Sequence, residues 1–262
     1  VIDAAKDVGV EIPHFCYHEK LSLVGQCRLC LVEIDPVPKL QTACSMFVKD
    51  GMVVRTDTDK CRKSRAAIME FLLLNHPVDC PECDQAGECK LQDYSFQCGT
   101  CNSRLADEKR IYPRDVSVGE KIVRIMDRCI HCTRCIRFLR EIVGDELMCF
   151  EYRGNNTNVT PVAGTSLDTM YSGNLAEVCP VGALTNKEFR FKTRPWNMRS
   201  FPSVCPLCSV GCNVYLDVKD DKIYRIKPRI NDDVNGWWIC DEGRFEYGYV
   251  NSPKRLTAPR VG

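Results

Sequence analysis

Sulfur ligands dominate the chemistry that this sequence could carry out. Of the 262 residues, 19 are cysteines, and most of these occur in C-x2-C pairs. Such pairs usually serve metal or redox chemistry, and an odd number of cysteines makes the alternative, a secreted disulfide protein, a poor interpretation. The densest group of metal-binding side chains is His76, Cys80, Cys83 and Cys89. We call it the second set, because another set of cysteines precedes it in the chain. One imidazole and three thiolates can hold a zinc ion or an iron–sulfur cube.

A different spacing occurs nearer the start of the chain. This first set, C-x10-C-x2-C-x13-C, is Cys16, Cys27, Cys30 and Cys44. Three cysteines on a loop and a fourth returned by a strand are the plan of a plant-type [2Fe-2S] site, although that class begins with C-x4-C-x2-C. A zinc site is the alternative, but zinc sites favour two matched C-x2-C pairs. Because four thiols are already present, we expect His14 and His18 to lie at the surface or to pack.

Two more cysteine sets lie in the second half of the chain. The third set is Cys129, Cys132, Cys135 and Cys179. Its three close cysteines and its remote Cys-Pro form the arrangement that binds one [4Fe-4S] cube in a ferredoxin-like fold. The fourth set, C-x2-C-x3-C-x27-C, is Cys205, Cys208, Cys212 and Cys240. His131 stands between two cysteines of the third set, and we expect its side chain to face solvent and not to bind the metal.

Four cysteines remain outside these sets. They are Cys61, Cys98, Cys101 and Cys149. Cys98 and Cys101 form their own C-x2-C pair, which could be a redox dithiol, half of a further metal site or two inert thiols. We favour inert thiols because no second pair accompanies them. We expect the isolated Cys61 and Cys149 to be buried small hydrophobes.

Short regular elements are predicted between these residues. Residues 1–10 have helical spacing up to a glycine, residues 31–34 alternate as a strand does, and a proline-rich turn at 35–38 precedes a further short strand. Residues 61–75 predict a helix that ends at the second set. The apolar side of that helix is expected to contain Ala67, Phe71 and Leu74.

Further elements are predicted near the end of the chain. Residues 186–194 look helical and precede a Pro-Trp boundary. Residues 213–218 and 222–228 predict two antiparallel strands joined by a polar turn, K-D-D-K, at 219–222.

Overall composition excludes several classes of protein. The charge is nearly balanced, with 36 basic and 35 acidic residues. No excess of basic residues therefore indicates binding to nucleic acid or to an anionic membrane. The longest aliphatic or aromatic run has about the length of residues 71–74, far short of the roughly 18 to 20 apolar residues of a membrane span. No signal peptide is visible, and the chain begins without methionine. We therefore expect a soluble protein with an incomplete N-terminus.

The four sets in this order resemble the N-terminal region of the large iron–sulfur subunit of bacterial NADH:quinone oxidoreductase, respiratory complex I. Related regions occur in [FeFe] hydrogenases, NAD-linked formate dehydrogenases and diaphorase subunits of NAD-reducing hydrogenases. Relatives with an adjacent cluster pair need a second C-x2-C-x2-C before the closing Cys-Pro. Tyr171-Ser172-Gly173-Asn174 stands in that place, so the resemblance to complex I is stronger.

This resemblance implies an α+β fold built of four iron–sulfur modules. Residues 1–60 would form a β-grasp [2Fe-2S] ferredoxin-like domain whose first strands are missing. Residues 61–110 would form a mostly helical one-His, three-Cys [4Fe-4S] module, and residues 111–194 a bacterial-ferredoxin-like [4Fe-4S] module. Residues 195–262 would form a [4Fe-4S] subdomain that opens a molybdopterin-oxidoreductase-type domain.

The resemblance also implies an electron-transfer subunit with one [2Fe-2S] and three [4Fe-4S] clusters. No nucleophile, general base or nucleotide loop is recognisable, so the chain would contribute no catalytic residue. Electrons from NADH would arrive from FMN in a partner flavoprotein and leave toward quinone through quinone-side iron–sulfur subunits. In the family they pass from the first set to the third and then the second, with the fourth as a branch or structural element.

The family location is the peripheral arm, on the cytoplasmic side of the inner membrane, with no span of its own. The alternative function is the front of an NAD-linked molybdenum or tungsten formate dehydrogenase, or of a related hydrogenase or diaphorase complex.

Overall fold

The fold combines short helices with small antiparallel sheets, which confirms the predicted α+β class. The computed structural model describes residues 1–256 and 258–259. Within them lie three three-stranded sheets and one two-stranded sheet. None of the helices in these residues is both long enough and apolar enough to cross a bilayer.

The N-terminal part is a helix beside a three-stranded sheet. Helix α1 (Ile2–Asp7) is followed by strands β1 (Leu31–Asp35), β2 (Val37–Thr42) and β3 (Val53–Arg55), which pair antiparallel in the order β2-β1-β3. The predicted helix and first strand are confirmed. The proline-rich turn is shorter than predicted, because β2 already begins at Val37.

The long helix α2 spans Asp59–Leu73 and begins earlier than predicted, because the Thr58 side chain caps it by accepting a hydrogen bond from the Cys61 amide (3.3 Å). Its buried face is Cys61, Arg65 and Met69. The predicted apolar face is wrong: Phe71 is 70% exposed, and Ala67 is exposed as well.

A polar anchor explains this rotation of α2. The Arg65 guanidinium is buried and donates a hydrogen bond to the Thr56 carbonyl (2.6 Å), while the Cys61 thiol donates to the Arg55 carbonyl (3.6 Å). Both bonds tie the same side of the helix to the strand before it. A prediction of the buried face from apolar residues alone does not take a buried arginine into account.

The third part surrounds a short helix with two small sheets. Strands β4 (Val116–Ser117), β5 (Ile122–Arg124) and β8 (Leu184–Asn186) form one sheet, and β6 (Met148–Glu151) and β7 (Asn158–Pro161) form a hairpin. The helical elements are α4 (Arg134–Phe138), a π-helical turn (Leu139–Val143) and α5 (Leu175–Val178); helix α3 (Lys90–Cys98) precedes this part. The helix predicted at 186–194 is wrong, because β8 extends to Asn186 and turns follow it.

The last part is an antiparallel sheet and a short helix. Strands β9 (Arg199–Val204), β10 (Asn213–Lys219) and β11 (Lys222–Pro228) have the order β11-β10-β9, and α6 (Asp241–Phe245) follows. The predicted hairpin is confirmed. Both of its turn residues have positive φ, 48° and 58°, as a two-residue hairpin turn requires.

Aromatic contacts join these parts through their cores. Phe15, from the first part, meets Tyr94 of α3 edge to face, with ring centroids 5.4 Å apart. Phe138 of α4 meets Trp238 in the same way at 4.8 Å. Phe15, Tyr94 and Phe138 are almost completely buried. The loops that carry the cysteine sets are thereby held against one another.

Candidate metal centres

The four thiols of the first set come together where the loop before β1, which carries Cys16, Cys27 and Cys30, meets Cys44 after β2. The backbone amides of Phe15 and Cys16 donate to the Cys27 sulfur (3.4 and 3.5 Å), and the Cys27 amide donates to the Cys16 sulfur (3.5 Å). Hydrogen bonds from Cys27 and Cys44 lower the pKa of Cys16, and one from Cys44 lowers that of Cys30. The backbone N–H groups that donate to the Cys16 and Cys27 sulfurs stabilise negative charge on them, as cluster ligands require.

The second set lies on the loop between α2 and α3. Burial, with smaller effects of Cys83 and Cys80, raises the pKa of Cys89 to about 11, so these three thiols are neighbours. Burial lowers the pKa of His76 to about 4 and keeps its ring neutral. Its Nδ1 is buried and has no hydrogen-bond partner in the described part of the chain. A neutral imidazole with an unpartnered nitrogen is in the state in which histidine binds metal.

The third set lines a single apolar cavity. All four of its cysteines face this cavity, and the other residues that line it are mostly aliphatic or methionine side chains. Burial raises the pKa of each of the four thiols. Thiolates here would be unstable on their own, but a coordinated thiol is deprotonated outright. The cavity therefore fits a metal cluster that takes up the charge.

The fourth set is held between β9, β10 and α6. The Cys205 amide donates to the Cys212 carbonyl (2.8 Å), and the Gly243 amide donates to the Cys240 sulfur (3.3 Å). A side chain on Gly243 would place its Cβ 3.2 Å from the Cys205 sulfur and 3.5 Å from that of Cys240. Burial, and then the charges of Cys240, Cys205 and Cys208, raise the pKa of Cys212. The structure thus brings this set together around a glycine.

A single-ion site has different requirements from these arrangements. In the part of the chain that the structure describes, no three His, Cys, Asp or Glu side chains are arranged to hold one metal ion. Structural zinc is bound by four ligands around one ion, whereas an iron–sulfur cluster distributes its thiolates over several irons. The pairwise sulfur contacts of the first set and the cavity of the third are compatible with clusters.

The three histidines outside the sets all pack against protein. Nδ1 of His14 lies 2.7 Å from a backbone carbonyl, and His18 stacks on Trp238, which confirms the expected packing role. His131 is stacked on Phe150 and its Nε2 lies 3.1 Å from a backbone carbonyl. The prediction that His131 faces solvent is therefore wrong, because the β6–β7 hairpin covers it.

The cysteines outside the sets are free thiols with different surroundings. Cys61 is fully buried, as predicted, whereas Cys149 is only half-buried. Cys98 is half-buried, donates to the Tyr94 carbonyl (3.2 Å) and has its pKa raised by burial. Cys101 is exposed. A raised pKa disfavours the reactive thiolate, which supports the interpretation of Cys98 as an inert thiol.

An ion pair that the sequence patterns did not predict joins the second and third sets. Arg128, next to Cys129, donates Nε to Oδ1 of Asp79 (3.0 Å) and Nη2 to Oδ2 (2.6 Å), and Asp79 precedes Cys80. Burial opposes ionisation of Asp79, but the hydrogen bonds and charge of Arg128 outweigh it and lower the pKa of this carboxyl. A signal was present, because arginines alternate with the cysteines in R-C-I-H-C-T-R-C-I-R.

A glycine also allows these two sets to approach each other. A Cβ on Gly182 would lie 2.2 Å from the sulfur of Cys83, so no other residue fits there without displacement. Beside it, the Lys90 amide donates to the Pro180 carbonyl (3.1 Å). The loop after Cys179 therefore rests directly on the loop of the second set.

The fourth set is attached to the third part through α6. Asp241 accepts hydrogen bonds from the Ser172 hydroxyl (2.7 Å) and the Gly173 amide (2.8 Å), and the Asn174 amide group donates to the Ile239 carbonyl (2.8 Å). Residues 172–174 stand where a two-cluster ferredoxin would begin its second motif. Here they bind the neighbouring part of the same chain.

Four family models match successive parts of the chain. They are described as a 2Fe-2S iron-sulfur cluster binding domain (residues 1–59), an NADH-ubiquinone oxidoreductase-G iron-sulfur binding region (65–104), an NADH-quinone oxidoreductase subunit 3 ferredoxin-like domain (119–185) and a molybdopterin oxidoreductase Fe4S4 domain (198–252). Each matched range lies inside one of the four modules predicted above.

Known proteins are similar over the whole chain. It is 45% identical over 261 residues to the NADH-quinone oxidoreductase G subunit of Rickettsia felis, and 43% identical to the NADH-ubiquinone oxidoreductase 75 kDa subunit of Reclinomonas americana. Each match covers 100% of this chain, which spans 39% and 38% of those relatives. A crystal structure of an NAD+-reducing [NiFe]-hydrogenase in the H2-reduced state has a TM-score of 0.66 and 28% identity, covering 74% of this chain and 83% of that one.

The α+β fold and the matching domains define an iron–sulfur protein with both [2Fe-2S] and [4Fe-4S] binding domains. The curated relatives are named as subunits of a multi-subunit oxidoreductase. The chain belongs to the G-subunit family of the NADH-quinone oxidoreductases, whose members are the large iron–sulfur subunits.

Proposed function

We propose that this chain is an electron-transfer part of an NADH:quinone oxidoreductase, in which it receives electrons from an NADH- and FMN-binding partner and passes them toward quinone. The first set would hold one [2Fe-2S] cluster, and the second, third and fourth sets one [4Fe-4S] cluster each. When bound, such clusters supply one-electron acceptor and donor chemistry. The chain's own residues fix the ligands, exclude water and compensate charge.

Direct contacts between the ligand loops carry this proposal. The Gln26 side chain, next to a first-set cysteine, donates to the His131 carbonyl within the third set (2.8 Å). The third set is in turn joined to the second by the Asp79–Arg128 pair. These contacts support the order first, third, second along the electron path.

The fourth set is proposed as a branch because the family resemblance gives it as a branch or structural element. Its contacts run through α6 to residues 172–174 of the third part. Arg225 and Lys227 of β11 also bind Glu88, next to Cys89 of the second set. We propose the boundaries 1–60, 61–110, 111–194 and 195–262 for the four modules.

The names of the relatives support a proposal for the partners and the location of this chain. We propose a flavoprotein on the electron-input side and quinone-side iron–sulfur subunits on the output side. The assembly would form a peripheral arm on the cytoplasmic side of the inner membrane. This chain spans 39% of the length of its relative from Rickettsia felis, so it would account for only part of such a subunit.

Metal analysis of cysteine variants tests the cluster assignment. The chain purified without oxygen should be brown and contain roughly 14 iron atoms, the sum for one [2Fe-2S] and three [4Fe-4S] clusters. Cys132→Ser should lose about four of them, the content of one cube. The matched control is Cys149→Ser, which changes a cysteine outside the sets and should lose none. A colourless, zinc-loaded protein would refute the assignment.

Co-purification tests the identity of the complex. A tag on the gene that encodes this chain should recover a flavoprotein and quinone-side subunits. Molybdenum or tungsten in the purified complex would instead identify the formate dehydrogenase alternative. Recovery of a [NiFe]-hydrogenase subunit would identify a complex like that of the structural neighbour.

A further inference from the structure

Helix α4 places two arginines between the first and third sets. Arg137 donates Nη2 to the carbonyl of Cys16 (2.5 Å) and, more weakly, to that of Cys132 (3.4 Å). Its Nη1 donates to the Ser22 carbonyl (2.5 Å), and its Nε donates to the Thr133 hydroxyl (3.1 Å). One guanidinium therefore contacts a ligand residue of each set.

The second arginine, Arg134, lies one turn earlier on the same helix. It donates Nη2 to the Tyr17 carbonyl, next to Cys16. Its Nε is buried and has no hydrogen-bond partner in the described residues. Arg134 thus approaches the first set from the same helix and retains an unused donor.

Both cations lack a carboxylate. Arg137 is 4% exposed, and among the described residues neither Arg137 nor Arg134 takes part in a salt bridge. Arg128 and Arg244, which are as deeply buried, each bind a carboxylate. Burying a charge is costly unless an opposite charge compensates it. All the partners of Arg137 are neutral oxygens, so the compensating charge must come from elsewhere.

The candidate ligands of the two sets lie beside these arginines, because Arg137 donates to the backbone carbonyls of Cys16 and Cys132. Four thiolates around a cluster leave a net negative charge. A guanidinium stays protonated throughout, so this pairing does not depend on pH.

We propose that Arg134 and Arg137 are shared charge-compensating residues of the first and third sets, which fix the two ligand loops against each other and raise the reduction potentials of both clusters. The proposal rests on the function proposed above, because it requires clusters in both sets. Reduction adds a negative charge, and a fixed positive charge nearby favours the reduced form. Removing the charge should therefore lower both potentials together.

Redox titration of the assembled complex, followed by EPR, tests this proposal. Arg137→Gln removes the charge and keeps hydrogen-bond donors, and it should shift the midpoint potentials of both clusters to more negative values. Arg137→Lys restores the charge and should return them most of the way. Arg134→Gln should shift both in the same direction. Iron content is measured on every variant, since a purely structural role would change loading and leave the potential of the loaded protein unaltered.

Arg65→Gln is the matched control. Arg65 is buried and donates to a backbone carbonyl (2.6 Å). Within residues 1–256 and 258–259 it pairs with no carboxylate, and it lies on α2 and bonds to no residue of the two sets. Its replacement should leave both potentials unchanged. Loaded Arg137→Gln and Arg134→Gln proteins with unchanged potentials would overturn the proposal.

Loss of iron has its own interpretation in this design. Arg137→Gln could lose iron from both sets. Retention of iron by Arg137→Lys would then support the proposal, because lysine keeps the positive charge that glutamine lacks. Loss in both variants overturns it, since the shape of the side chain would then be decisive. If the complex without any substitution shows neither cluster, the proposed function itself fails.

Discussion

Asp79 and Arg128 form a buried pair whose two members should respond differently to replacement. Their side chains are 15% and 4% exposed. Asp79 has a second partner, Arg114, whose Nη1 lies 3.0 Å from Oδ2 and whose side chain is 40% exposed. Arg128 has no other carboxylate within salt-bridge distance among the described residues. Losing Asp79 thus isolates a buried cation, whereas losing Arg128 leaves a carboxylate that is still paired.

The two substitutions should therefore cost different amounts of free energy. Asp79→Asn leaves Arg128 buried without its carboxylate partner, which costs about 3–5 kcal/mol. Arg128→Gln removes charged hydrogen bonds but leaves the Arg114 pair, which costs about 1.5–3 kcal/mol. At 1.36 kcal/mol for each factor of ten, opening of the interface should become roughly 150- to 5,000-fold more frequent for Asp79→Asn and roughly 10- to 150-fold for Arg128→Gln.

Hydrogen–deuterium exchange followed by mass spectrometry measures this opening. Peptides that cover residues 79–91 and 126–136 report on the two sides of the interface, and their exchange rates follow the local opening equilibrium. Arg62→Gln is the control: its ion pairs with Asp57 and Asp59 are exposed and screened by solvent, so its replacement should leave exchange in both peptides unchanged. Equal or faster exchange in Arg128→Gln than in Asp79→Asn would show that Arg114 does not compensate Asp79.

Three other predictions concern the sets and their surroundings. His76→Cys should keep a cluster but lower its midpoint potential in an EPR titration, because a thiolate adds negative charge; an unchanged midpoint would contradict the charge argument. Gly182→Ala should lose iron, since its Cβ would lie 2.2 Å from a second-set sulfur and such overpacking costs about 1–3 kcal/mol, whereas Gly248→Ala, which meets open space, should retain it. Replacing Cys98 and Cys101 together by serine should leave the iron content unchanged; a loss would reveal a further metal site.

Local patterns in the sequence predicted some elements correctly. The strands at 213–218 and 222–228 are confirmed because alternating side chains and a polar two-residue turn determine a hairpin within one short stretch. The short helix at the N-terminus is confirmed for a similar reason, since its helical spacing and the glycine that follows it are adjacent.

Elements that depend on distant contacts were predicted less well. The buried face of α2 follows from Arg65 and its bond to a carbonyl, not from the apolar residues along the helix. Residues 186–194 have a helical composition, but β8 recruits Asn186 into a sheet and turns follow. His131 is covered by a hairpin that lies about twenty residues later in the chain. In each case, tertiary packing outweighed a local preference.

The sequence by itself determined which side chains are candidates for binding iron, because ligand type and close spacing on a loop are local properties. It also determined the order of the four sets along the chain. Only the tertiary structure decided which sets are neighbours, since the contacts that join them, from Asp79 to Arg128 and from Arg137 to Cys16, link residues 49 and 121 positions apart. The arginines beside the third-set cysteines are visible in the sequence, but only the structure shows that Arg128 pairs with Asp79 and that Arg137 has no carboxylate partner among the described residues.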